Sequence, residues 1–489
     1  MRKNISAFVL SLLLVLSLPA AAFAENAWLG LDNAAVDEMF TERDFDTGYN
    51  SAVDITLADS SSSASGKGVS IDRDTVTITH EGVYRLSGSL SNGQIVVYAA
   101  DASKVQLVLD GVSVTNEGGA AIQVVRADKV FVTTAAGSEN SLSSVGKLID
   151  EDVDGAVFSK NDICFNGEGM LRVLSEAGHG IATKDDLKIT SGSYEIQAEK
   201  RGLSGKDSIR IGGGDIRVNA AGDGLHSEHD DADKGYIFIS GGNIDIVSGK
   251  DGIDCTNYLN ILAGNISIDA ASDGINVAKT DDRDSSAFVA VSGGKVSVRA
   301  AEDGIDSNGS LAVHGGELYI SAAPRGGDGA LDYATAAEIH GGTVAAASAA
   351  DMAMNFSYAD AQGSILCSFR QPHSAGEELS LRNEAGEVLL SFAPAYDYQA
   401  VVLSCAAVTA EGKYIVSAGE ETVEIQMDGS LYGSSSDFGF PGGPGMMPPA
   451  DMGDFPEFPQ GMEQPQFPGD GDRPGFPGKP DGMKKPGKF

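Results

Sequence analysis

Residues 251–270 read DGIDCTNYLNILAGNISIDA, and their order decides the fold. A DGI corner is followed by two short runs, YLNI and NISIDA, in which apolar and polar residues alternate about a glycine. The next DGI corner then opens at Asp273. Alternation of period two is the mark of a strand with one buried face, and a corner that returns at fixed spacing is the mark of a repeat.

Working outward, the same unit recurs as HGI at 179–181, RGL at 201–203, DGL at 223–225, DGI at 273–275, DGI at 303–305 and DGA at 328–330. The corner glycines fall at 180, 202, 224, 252, 274, 304 and 329, and the 22-residue step occurs three times. Such a stride leaves room for three short strands and three turns, with glycine expected where corners need positive φ. One unit cannot bury its apolar face alone, so units must stack. Ile181, Leu203, Leu225, Ile253, Ile275 and Ile305 then form one inward column. Parallel crossovers are right-handed by strong preference. The expected fold is all-β, a right-handed parallel β-helix.

The two longest steps, from Gly224 to Gly252 and from Gly274 to Gly304, are 28 and 30 residues. The surplus lies in HSEHDDADKG (226–235) and in AKTDDRDSS (278–286), both just after the corner, so both loops should leave from one face.

The less regular strands from Val69 onward read as the first rungs, giving a β-helix over 69–352. Residues 25–68 form a polar lead-in suited to covering the open end of the solenoid. Residues 353–431 hold strand runs and hairpin signals, expected to make a small C-terminal β cap. Residues 432–489 are a tail in which twelve of the sixteen prolines lie between Pro441 and Pro486, a composition expected to be disordered. The start, MRKN followed by the apolar run Ile5 to Leu18 and Ala22-Phe23-Ala24, reads as a signal peptide over 1–24, which implies secretion and no membrane insertion.

A formal charge of −36, from 34 basic and 70 acidic residues, excludes nucleic acid as the natural partner. Divalent cations and sugars suit such a surface better. Cys164 and Cys255 are several rungs apart and should be free, whereas Cys367 and Cys405 could pair if their strands are neighbours.

Several stretches resemble a family of secreted bacterial carbohydrate-binding β-helix proteins with a fold similar to pectate-type polysaccharide lyases. They are FTERDFD, GVYRLSG, KVQLVLDGVSV, FSKNDICFNGEG, GHGIATKDDLKIT, GLSGKDSIRI, DGLHSEHDDADKGYIFISGG and GALDY, spread over about residues 39–430. The resemblance implies an extracellular parallel β-helix with bound calcium and polysaccharide binding, and no established lyase chemistry. It carries over no sugar-binding residue.

Three constellations carry chemistry. Asp223, Asp251, Asp273, Asp303 and Asp328 precede the corner glycines, and His226, Asp254, Asn276 and Asp306 follow three residues on. Stacked at about 4.8 Å per rung, these oxygens suit calcium; ordinary Asp-Gly turn chemistry is the plainer reading. The acidic loop with Glu228, Asp230, Asp231 and Asp233 offers further calcium ligands, or with His226 and His229 a transition-metal site. Lys160, Lys184 and Lys206 recur in SKND, TKDD and GKDS, and with Arg201 could hold the carboxylates of an acidic polysaccharide. Tyr236 and Tyr258 are aromatics available for sugar stacking. Without GxSxG, HExxH or a P-loop, catalysis has little support; a lyase would need Arg201 or Lys206 as its base. The reading is a secreted, calcium-dependent, non-catalytic protein that binds plant or bacterial cell-wall glycans such as polygalacturonate or cellulose. A structural or adhesive solenoid is its rival.

Overall fold

The repeats wind into a stack of parallel rungs in a computed structural model that describes residues 38–278 and 286–433. The expected signal peptide, the proline-rich tail and most of the second insertion lie outside the described residues. Each regular rung has three strands. In one of them these are Leu203–Gly205, Ser208–Ile211 and Asp215–Ala220, here termed first, second and third. First strands from successive rungs form a 12-stranded sheet, and second and third strands join in a 26-stranded sheet.

The register is the one the corners dictate. Ile181 pairs with Leu203, Leu203 with Leu225, Leu225 with Ile253, Ile253 with Ile275, and Ile275 with Ile305. All six are fully buried. Burying one such side chain contributes about 1.5–3 kcal/mol, so the column is a major part of the continuous core.

The corner glycines differ from expectation in their physical role. Gly224 is outside the positive-φ glycines, but a Cβ on it would lie 2.3 Å from Ile246 Cγ2 and 2.5 Å from the Gly252 carbonyl oxygen. Glycine is required there by close packing of one strand against the next rung, not by backbone conformation. Positive φ is found instead at the turn from second to third strand, as at Gly242 with φ +97°.

The N-terminal lead-in departs from the expected end cover. Residues 39–46, with a helical turn at Glu42–Phe45, lie across the outer side of the second strands. Thr190 Oγ1 and Asn166 Nδ2 donate to the Asp44 carbonyl at 2.7 and 3.0 Å, and Arg210 donates to the Met39 carbonyl. The end is instead formed by two antiparallel pairings, Val53–Leu57 with Ser63–Ala64 and Val69–Asp72 with Thr75–Ile78. Parallel stacking also begins before Val69, since Val53 to Leu57 pair with Tyr84 to Gly88.

At the other end, Tyr398–Ser404 runs antiparallel to Thr343–Ser348 and to Ser364–His373. A four-stranded antiparallel sheet follows, and its Leu379, Leu381 and Val416 pack with Ala345, Ala347 and Ile365 over the last rung. All four cysteines are free and buried. Cys367 faces Val401, so Cys405 lies four residues along, about 13 Å away, and a disulfide there is out of reach.

Candidate functional site

The outer side of the first strands carries three parallel rows. The register Ser204–His226–Asp254–Asn276–Asp306–Asp332 sets one row. Two residues before each buried Leu or Ile stand His179, Arg201, Asp223, Asp251, Asp273 and Asp303. Just beyond each strand come Lys160, Lys184, Lys206 and Glu228. The face is therefore cationic in its early rungs and acidic in its later ones.

In the acidic part the carboxylates form a ladder. The Asp273 backbone N–H donates to Asp251 Oδ1 at 3.1 Å, and the Asp303 N–H to Asp273 Oδ1 at 2.8 Å. Asp-Gly turn chemistry is thus present, but running between rungs. Asn276 Nδ2 donates to Asp251 Oδ2 at 3.2 Å, while Asn276 Oδ1 is out of contact with solvent and has no partner. Among the described residues no lysine, arginine or histidine pairs with Asp251, Asp273, Asp303 or Asp306. Burial, with neighbouring carboxylates adding to it, pushes Asp273 up to about 8, Asp303 to about 7 and Asp306 to about 6. Asp251 is also raised by burial. Half-buried carboxylates without a counter-charge, beside an orphaned amide oxygen, match the all-oxygen shell of calcium. These residues fit such an ion. Asp328 falls outside the column, against expectation: Ile305 pairs with Leu331, so Gly329 stands opposite Asp303 and donates its backbone N–H to Asp303 Oδ1.

The cationic part lines a groove of about 320 Å³ that includes Asp154, His179, Lys184, Arg201, Lys206 and His226. Lys184 pairs with Asp154, and Lys160 lies 3.9 Å from Asp152. Lys206 is exposed and its amine has no partner among the described residues. Arg201 Nε donates to Asp223 Oδ2 at 3.2 Å. His179 accepts the Arg201 backbone N–H at 3.1 Å on Nδ1, and burial brings it down to about 4, so it stands neutral. Neighbouring acids thus offset Lys184 and Lys160, whereas Lys206 has no such partner among the described residues.

Between the two parts, His226 Nδ1 is 2.6 Å from Asp254 Oδ2 and 3.5 Å from Asp223 Oδ2, and its Nε2 is 3.3 Å from Glu228 Oε2. The first insertion folds back over this region. Asn257 Nδ2 donates to the carbonyls of His229, Asp231 and Lys234 at 3.2, 2.9 and 2.7 Å, and Lys234 pairs with Asp207 at 2.6 Å. Asp231 does not join the stripe: its side chain is 65% exposed and lies 3.7 Å from His229.

Tyr236 and Tyr258 require a correction. They stand on the second strands, only 5% and 8% exposed, stacked with ring centroids 4.5 Å apart. Phe288 continues the stack at 5.1 Å, and Met39 and Phe40 cover it. The lead-in occupies the face that a sugar would need. Lys184, Arg201 and Lys206, by contrast, share one groove. His179 and Asp154 escaped the sequence reading, although HGI at 179–181 stands in the corner register.

A parallel β-helix with an acidic stripe and a cationic groove on one face defines the class. The chain belongs to the family described as carbohydrate-binding domain-containing proteins, which it matches over residues 72–329 and 248–443. A carbohydrate-binding domain-containing protein of Acetivibrio thermocellus is 36% identical over 136 residues, 27% of this chain. The matched part spans 48% of that relative's length. A solved structure, a polysaccharide lyase-like protein from C. thermocellum in a gadolinium derivative, aligns at 30% identity and a TM-score of 0.45 over 55% of this chain and all of that one. No helix among the described residues is long and apolar enough to cross a membrane.

Proposed function

We propose that this chain is a secreted, non-catalytic polysaccharide-binding β-helix that uses calcium to hold an acidic glycan, polygalacturonate foremost, along its first-strand face. The observation that carries the reading is the shared face: Asp251, Asp273, Asp303 and Asp306 stack without a counter-charge among the described residues, and Lys206 and Arg201 lie a few rungs before them. A uronate chain meeting a protein of charge −36 is repelled unless cations intervene. Calcium held by the stripe would supply that bridge, and the free Lys206 amine would take a uronate carboxylate directly. Membership in a carbohydrate-binding family supports the glycan as ligand. The non-catalytic part rests on the sequence, which carries none of the GxSxG, HExxH or P-loop signatures.

Isothermal titration with polygalacturonate, with calcium and then with EDTA, tests the proposal. Binding that disappears with chelation and returns with calcium supports it, and indifference to chelator removes the bridge. Growth of absorbance at the unsaturated-uronate band during incubation with pectate would overturn the non-catalytic part.

A further inference from the structure

We propose that Asp223, His226 and Asp254 form a site for one divalent transition cation of the zinc class, separate from the calcium stripe. The three side chains offer one ligand atom each, all within 4.8 Å of one another. Two features of the fold bring them together. His226 and Asp254 face each other on adjacent first strands, and Asp223 precedes His226 across the corner glycine.

The spacing suits a small tetrahedral ion. Bonds of about 2.1 Å set ligand atoms about 3.4 Å apart. His226 Nδ1 and Asp223 Oδ2 already stand at 3.5 Å. The 2.6 Å gap to Asp254 Oδ2 has to open by about 0.8 Å. Asp254 is free to give way, being the most exposed of the three side chains at 22%, against 6% for His226 and 8% for Asp223.

The surroundings of the imidazole add an independent argument. Glu228 Oε2 lies 3.3 Å from His226 Nε2. A carboxylate receiving the Nε2–H leaves the Nδ1 lone pair directed at Asp223 and Asp254, the arrangement that orients metal-bound histidines. Charge points the same way, since three carboxylates converge on His226 while, among the described residues, Arg201 is the one strong base that reaches them, at 3.2 Å from Asp223 and 3.9 Å from Glu228. An imidazole donor favours zinc, copper, iron or nickel, whereas calcium takes shells of oxygen. Three protein ligands leave a fourth position open. His226 lines the groove with Lys184 and Lys206, so that position faces incoming ligand oxygen or water.

Cobalt(II) titration of the metal-stripped full chain tests the site without any glycan, so its outcome is independent of the polysaccharide reading. One equivalent should bind with a visible d–d band that persists in excess calcium and is displaced by zinc. His226→Gln should abolish the band and weaken cobalt binding by at least about a hundredfold, with calcium uptake unchanged. Asp254→Asn, a near-isosteric change at a partly exposed position, should weaken the band with the β circular-dichroism signal intact, and it decides the matter if His226→Gln fails to fold. Non-saturating cobalt uptake, a band erased by calcium, or a band unchanged in a folded variant would overturn the proposal.

Discussion

Asp44 Oδ1 lies 2.6 Å from Lys129 Nζ, with the two side chains 0% and 9% exposed. Lys188 Nζ is 3.6 Å from the other carboxylate oxygen and 6% exposed. This buried ionic junction fastens the lead-in to the second strands. Burial alone would raise the Asp44 carboxyl; the Lys129 contact, the Thr41 N–H and the two lysine charges outweigh it and hold the group below its usual range. Asp44→Ala leaves two buried ammonium groups uncompensated and should destabilise the fold by about 3–5 kcal/mol, measured by urea denaturation. Replacing Asp44 and Lys129 together by Leu and Met should cost much less. Because the folded pKa is depressed, the junction's stabilisation is complete above the unfolded carboxylate pKa and fades as pH falls through the folded value. A single substitution as mild as a surface one would mean that the junction is solvated.

The corner glycines make a second prediction. A methyl at Gly274 would stand 2.1 Å from Val298 Cγ1 and 2.6 Å from the Gly304 carbonyl oxygen. Gly274→Ala should therefore destabilise by at least about 1–3 kcal/mol, read as a lower thermal midpoint. Gly376 has open space around its Cβ position but φ +77°, so Gly376→Ala tests conformational strain alone and should cost about 1 kcal/mol.

These contrasts show which parts of the molecule its residue order discloses. Strict spacing and period-two alternation put Leu225, Ile253 and Ile275 in one column and Asp251, Asp273 and Asp303 in one stripe, because a parallel ladder of equal rungs has a single in-register solution. Residues outside the repeat have no such constraint. Met39, Phe40 and Asp44 carry no periodicity to reveal that they cover Tyr236, Tyr258 and Lys129. Outward-pointing aromatics in an alternating strand look like a binding face until the segment that covers them is known. The groove was partly legible for a related reason: Lys184 and Lys206 are 22 residues apart, whereas Asp154 precedes the regular array.

The covered aromatics make a third prediction. Tyr258→Ala removes a ring stacked between Tyr236 and Phe288 at 4.5 and 5.1 Å. It should lower stability by about 3–5 kcal/mol and leave polygalacturonate affinity unchanged in the folded fraction. Lys206→Ala should do the reverse. Its amine is exposed and has no partner among the described residues, so stability should hold within about 0.5 kcal/mol, while loss of one charge-assisted contact should weaken glycan binding about tenfold. Paired thermal melts and glycan titrations separate the two; weaker glycan binding by folded Tyr258→Ala would return the aromatic stack to the binding surface.

The acidic stripe makes the last prediction, and its sign follows from burial. Asp273 titrates at about 8 and Asp303 at about 7 in the folded chain, both raised chiefly by desolvation. Carboxyls that hold their protons more tightly when folded stabilise the fold fully below the unfolded pKa, and that contribution is lost as pH rises through the folded values. With EDTA present, the thermal midpoint should therefore fall between about pH 4 and about pH 8, where the stacked charges become uncompensated. Calcium supplies the missing positive charge only to the ionised stripe, so its stabilising effect should grow over the same interval. Asp273→Asn removes the most strongly raised acid, so it should flatten the pH dependence in EDTA and reduce the calcium response. If calcium shifted the midpoint equally at both ends of the range, the ion would be binding somewhere other than Asp251, Asp273 and Asp303.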